Sequence, residues 1–112
     1  MPIPRIRGTQ IGLRDPGLVD RLKVEMIAGR YGFQEPRGQI GGVMDSRGVY
    51  HVIDGHHRMA AALEVFRETG DDNPVVMLVK WGWWTVLEKA PRASRPFPHR
   101  SWWGTFRNWL GL

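Results

Sequence analysis

Around Gly55 the hydrophobic period of the chain changes from two to about 3.6. In residues 49–53, Val49, His51 and Ile53 fall on one side and Tyr50 and Val52 on the other, the alternation of a strand. Beyond the glycine, Met59, Ala62, Leu63 and Phe66 recur at helical spacing, with Arg58, Glu64, Arg67 and Glu68 on the remaining surface. Gly70 predicts the stop, followed by the breakers Asp71, Asp72, Asn73 and Pro74. Asp54 is placed to cap the helix by accepting a backbone N–H, and Gly55 allows the tight turn.

The same reading assigns the rest of the chain. Residues 9–13 read as a short strand. Asp15 caps a helix with Pro16 at its first position, and Val19, Leu22 and Met26 mark its apolar face to an end near Gly29. Residues 31–38 are loop. Residues 40–44 pair with 49–53 in a hairpin around Asp45, Ser46, Arg47 and Gly48. Residues 75–79, an unbroken apolar run, read as a strand buried on both faces. Prolines at 91, 96 and 98 exclude regular helix there. Past them, Trp102, Trp103, Phe106, Trp109 and Leu110 predict a helix with one aromatic ridge. Burying one such tryptophan contributes about 4–6 kcal/mol before entropy, so the ridge is expected to fold back on the domain or to dock on a partner or membrane.

A chain of 112 residues, 42% apolar and with six tryptophans, fits one globular domain with one modest core. It contains no cysteine, which excludes disulfides and thiolate metal sites and fits a reducing compartment. No signal peptide is visible at the start of the sequence, and no apolar run is long enough to span a membrane. Charge is uneven: acids and bases cancel through residue 88, and the net +5 rests on Lys89, Arg92, Arg95, Arg100 and Arg107. Were all five to pair with duplex phosphates, log affinity would fall with log salt at a slope of about −4 to −5. The alternative is a solvated basic tail.

The strand–glycine–helix corner concentrates the chemistry. His56, His57 and Arg58 sit where a helix begins, beside backbone N–H groups without intrahelical partners and the positive end of the dipole. Such a corner suits an anion, phosphate above all. Histidine has both proton states accessible near neutrality, so His57 reads as an acid/base or phosphate ligand, or as a structural ring holding the turn. Arg58 either grips phosphate in bidentate fashion or pairs with Asp54 or Glu64. Asp54 is a cap, a general base or a metal ligand, and His56 points to substrate or solvent. His51, sharing a face with Val49 and Ile53, is expected to be buried and hydrogen-bonded. Adjacent residues rarely converge on one ion, so no metal site is assigned to Asp54, His56 and His57.

These residues carry a resemblance. Gln39 and Ile40, the turn at Asp45–Gly48, the strand, and Asp54-Gly55-His56-His57-Arg58 followed by alanines resemble the ParB/sulfiredoxin-like superfamily over residues 6–81. ParB proteins carry Gly-Glu-Arg-Arg at Gly55 to Arg58, and sulfiredoxins Gly-Gly-Cys-His-Arg at Asp54 to Arg58. Members reading Asp-Gly-His-His-Arg include ParB-like nuclease domains and kinases of free serine. The resemblance implies a compact α/β (α+β) domain, a small mixed sheet with flanking helices, here followed by a Pro/Trp-rich basic extension over 82–112. His56 replaces the sulfiredoxin cysteine, which excludes thiol-based sulfinic acid repair. No second nucleotide motif of the ParB clamp follows.

The tail, from Ser94 through Trp102-Trp103-Gly104 to Trp109-Leu110-Gly111, resembles the ends of bacterial polymorphic toxins of the RHS-repeat type. Together these imply a secreted antibacterial toxin domain, part of a larger RHS-type parent, acting in the cytoplasm of a target cell and neutralised by a cognate immunity protein. The expected activity is phosphodiester cleavage, with DNA as substrate. Gly55, His57 and Arg58 would bind phosphate. His57 would act as acid or base, with Asp54 and His56 supporting it, a divalent ion such as Mg2+ left open, and the basic tail on the polyanion. Alternatives are a nucleotide hydrolase or phosphotransferase in the same pocket, and a non-catalytic nucleotide- or DNA-binding module.

Overall fold

The computed structural model of the protein describes residues 3–98. Its elements run β1 (Ile6–Gly8), α1 (Pro16–Ile27), β2 (Gly41–Met44), β3 (Tyr50–Asp54), α2 (His56–Thr69), α3 (Asn73–Trp81), β4 (Trp83–Val86) and β5 (Arg95–Pro96), with one short 3-10 turn at Pro36–Gly38. The expected class holds: a small α+β domain with a mixed sheet and flanking helices. The sheet order is β4-β2-β3-β1-β5. The β2–β3 hairpin forms its antiparallel centre, β1 and β4 add in parallel on either flank, and β5 closes antiparallel beside β1.

Local chemistry explains most of these boundaries. The Asp45 carboxylate accepts the N–H groups of Arg47 at 2.8 Å and Val49 at 3.2 Å, which closes the hairpin turn in the manner of an Asx turn. The Asp15 carboxylate accepts Leu18 N–H at 3.0 Å and caps α1, with Pro16 at its first position. α2 ends where Gly70 turns left-handed (φ 77°) and returns its N–H to Phe66 O at 2.8 Å.

The helices cover one sheet face. Ile40 and Val52 meet Val19 and Met26 of α1, Met59 and Leu63 of α2, and Val75 and Leu78 of α3. Ala60, Ala61 and Ala62 are all buried, and their small side chains let neighbouring elements approach α2 closely. No described helix is long and apolar enough to cross a membrane.

Two expected strands are corrected. Residues 75–79 belong to α3, because Pro74 stands in the first turn of a helix whose buried residues, Pro74, Val75 and Leu78, fall on one helical face. An unbroken apolar run does not distinguish a buried strand from a helix, and here the preceding proline decides. The strand lies beyond it, at Trp83–Val86. Residues 9–13 are loop, and the strand is Ile6–Gly8, with Ile6 opposite Tyr50 and Arg7 opposite His51. Thr9 leaves the ladder because its N–H goes to His56 Nε2 and its hydroxyl to Val52 O, each at 3.0 Å. Ile11, in the middle of that stretch, is 85% exposed. Smaller shifts put Ile40 outside β2 and Val49 outside β3. The expected aromatic helix with Trp102, Trp103, Phe106, Trp109 and Leu110 lies outside the described residues, as do Arg100 and Arg107.

His51 is buried, as expected, and bonded at both ring nitrogens. Nε2 lies 2.8 Å from Asp45 Oδ2, and Nδ1 lies 2.7 Å from Ser94 Oγ. Strand alternation puts it on the sheet face opposite Val52, away from the helices.

Candidate functional site

β3 ends at Asp54, Gly55 redirects the chain, and α2 starts at His56. Gly55 has φ 102°, and a Cβ there would lie 2.3 Å from Ile40 Cγ2, so both conformation and space demand glycine. This corrects the expected role of Asp54. It closes the strand, the N-cap is Gly55, and no side chain among the described residues caps α2. The first N–H groups of α2 therefore keep their capacity to bind an anion.

A cavity of about 210 Å³ opens at this corner. Asp54, Gly55, His56, His57 and Arg58 line it from the motif, Gln10 from the loop after β1, and Leu18 and Leu22 from α1. The structure thus brings all five motif residues to one concavity. Arg58 has no ion pair or hydrogen bond among the described residues; the alternative pairing with Glu64 is taken up by Lys23, 3.2 Å from that carboxylate.

The two imidazoles are fixed in one tautomer by the backbone. His56 Nε2 accepts Thr9 N–H at 3.0 Å, and His57 Nε2 accepts Asp15 N–H at 3.0 Å. A ring nitrogen that accepts an N–H carries no proton, so in each neutral ring the proton is on Nδ1. Both rings therefore face their surroundings as N–H donors. His56 is 2% exposed, and its Nδ1 is buried without a partner among the described residues. Burial lowers its pKa below the ordinary histidine value, and the neighbouring His57 pushes the same way. It stays neutral, a donor without net charge. Phe97 stacks on its ring from the C-terminal segment.

This tautomer changes the chemistry expected of the histidines. Neither ring keeps a free lone pair with which to take a proton. His57 could act as a base only after releasing Asp15. Asp54 is the exposed carboxylate on the cavity wall. Among the described residues, no three His, Asp or Glu side chains converge as a metal cage.

Sequence reading missed Gln10 and placed Arg95 in a basic tail rather than beside this corner. Gln10 Oε1 and Arg95 Nε are buried without partners among the described residues, and both residues line a second cavity of about 520 Å³, which shares Gln10 with the first. Only the topology shows that position of Arg95, since β5 delivers it beside Gly8. Arg95 accordingly belongs to the sheet rather than to a solvated tail, whereas Lys89 and Arg92 are exposed. Comparison with protein-family models, curated proteins and solved structures gives no match to this chain.

Proposed function

We propose that the α2 corner binds a phosphate group and that the chain is a phosphodiester-cleaving enzyme, a toxin domain acting on DNA. The observation that supports this most is His56 Nδ1–H, a buried donor with no partner among the described residues, on a residue that lines the cavity together with Arg58, itself without an ion pair or hydrogen bond among them. Leaving a buried donor unsatisfied costs about 1–3 kcal/mol, which a bound oxyanion would recover. Arg58 and the free N–H groups of α2 add charge-assisted bonds to the same anion.

In the proposed reaction the histidines position and the carboxylate moves the proton. Arg58, His56 Nδ1–H and the helix N-terminus hold the non-bridging oxygens and stabilise the charge that builds on them. Asp54 takes a proton from water as the water oxygen bonds to phosphorus; the P–O ester bond breaks, and the leaving alkoxide takes up a proton from solvent as Asp54 later returns its own to solvent. A divalent ion beside Asp54 would supply further charge neutralisation and lower the pKa of that water. His57 braces the corner through Asp15. The secreted parent, the immunity protein and action in a target cytoplasm rest on the resemblance of the sequence to polymorphic toxins.

The second cavity favours one alternative. It has room for a nucleoside beside the phosphate, with Gln10 and Arg95 as polar contacts, and so suits a nucleotide hydrolase or phosphotransferase. Expression in a susceptible bacterium, followed by inspection of its DNA, RNA and nucleotide pools, separates the readings. Degraded DNA with wild-type protein and intact DNA with a folded Arg58→Ala variant is the expected result. Loss of nucleoside triphosphate over intact DNA would favour the alternative, and no chemical change in either pool would refute both.

A further inference from the structure

On the sheet face away from the helices, Asp45, His51 and Ser94 form a directed chain of hydrogen bonds. His51 is 1% exposed and Asp45 7%, while Ser94 is only half-buried. The Asp45 carboxylate accepts two backbone N–H groups on Oδ1, which leaves Oδ2 for the ring. The bond from His51 holds the Asp45 pKa below the ordinary carboxylate value, with the two N–H groups acting the same way. An ionised acceptor at Nε2 fixes that proton on Nε2, so the lone pair is on Nδ1, 2.7 Å from Ser94 Oγ. Arg7 Nε–H donates to the same Oγ at 2.9 Å, so the Ser94 O–H is directed at the ring.

We infer that Ser94 is an activated nucleophile, with His51 as its general base and Asp45 as the group that orients the base, and that it accepts acyl groups from small activated carboxylic esters. The site does not depend on the phosphate reading of the α2 corner. Its parts match the roles of a Ser-His-acid triad, recognised by geometry and not by residue order. Here the two ring nitrogens exchange their usual partners, and the proton path is the same. Ser94 Oγ bonds to the carbonyl carbon, its proton passes to His51 Nδ1, and the ester C–O bond breaks as that proton goes to the leaving alkoxide. Water then attacks the acyl-serine, gives its proton to Nδ1, and releases the carboxylic acid as Oγ recovers the proton. Arg7 stabilises negative charge on Oγ in both halves. A network serving only to pin β5 would leave Ser94 unreactive.

Two measurements on the full chain decide it. Diisopropyl fluorophosphate is expected to add once per molecule, with the adduct mapped to Ser94 by mass spectrometry and absent in Ser94→Ala. His51→Gln, shown to be folded by circular dichroism, should slow that addition on the order of 100-fold, the usual yield of a general base. Because the chain has no cysteine, Ser94→Cys introduces a single thiol that needs no refolded background. Iodoacetamide should alkylate it with a midpoint well below the ordinary thiol value of about 8.5. A folded wild type that stays unlabelled at Ser94, or an inert or ordinary thiol in Ser94→Cys, overturns the assignment.

Discussion

Phe97 lies flat against His56, ring centroids 5.6 Å apart and planes 20° from parallel. The contact joins the segment after β5 to the first residue of α2, so the wall of the cavity at the α2 corner depends on a residue 41 positions away from it in sequence.

Phe97→Ala should therefore act on both stability and the site. Losing a half-buried aromatic with its ring contact costs about 2–3 kcal/mol, below the 3–5 of a fully buried phenylalanine. Urea unfolding checks the energy. A variant as stable as the parent would remove Phe97 from the wall.

Gly55→Ala should be far more damaging than Gly70→Ala. Both glycines have positive φ, but a Cβ at Gly55 meets Ile40 at 2.3 Å, whereas at Gly70 it meets nothing within 4 Å among the described residues. The left-handed cost alone is about 1–2 kcal/mol, expected at Gly70. At Gly55 the collision adds on the order of a further 1–3 kcal/mol. Thermal unfolding of the two variants side by side measures the difference.

Stability should fall with acidification below about pH 6.5, the ordinary histidine value. The His56 pKa is lowered by burial in the folded state, so the unfolded chain takes up a proton more readily. Its contribution is complete above the unfolded pKa and is lost as pH falls toward the folded one. Asp45 adds a second decline at lower pH: its folded pKa is depressed, so its contribution is present above about pH 4 and fades as pH falls through the folded value. Urea titrations from pH 8 to 3 should show two separate losses, and a folded His56→Gln variant should lack the first.

Inorganic phosphate should raise the melting temperature of the wild type in proportion to the logarithm of its concentration. At ten times the Kd the gain is about 1.4 kcal/mol. Arg58→Ala should abolish the rise, and chloride at matched ionic strength should not reproduce it. An equal response in Arg58→Ala would place the anion elsewhere.

How far the fold and site could be read from sequence varied with the reach of the interaction that fixed each part. The hairpin turn, the Asp15 and Pro16 start of α1 and the Gly70 end of α2 are set by neighbours within four residues, and all stand where the residues predicted them. α3 was misread because Val75, Val76 and Val79 satisfy a buried strand as well as a buried helix. Residues 9–13 read as a strand, yet two bonds from Thr9 to β3 and α2 pull it from the sheet. At the site, sequence placed Asp54, Gly55, His56, His57 and Arg58 together. It could not supply the tautomer, because the Thr9 and Asp15 N–H groups come from 47 and 42 residues away. Ser94 lay in a proline-punctuated stretch with no periodic signal.

Arg7 and Ser94 are separated by 87 positions. The hairpin and the helices can assemble from nearer contacts, but the β1–β5 clasp must draw in the whole intervening chain, a search that lowers folding rate more than final stability. The clasp is therefore expected to close last. Until it does, His56 lacks its Phe97 cover and His51 its serine, so a newly made chain acquires both candidate chemistries in a single terminal step.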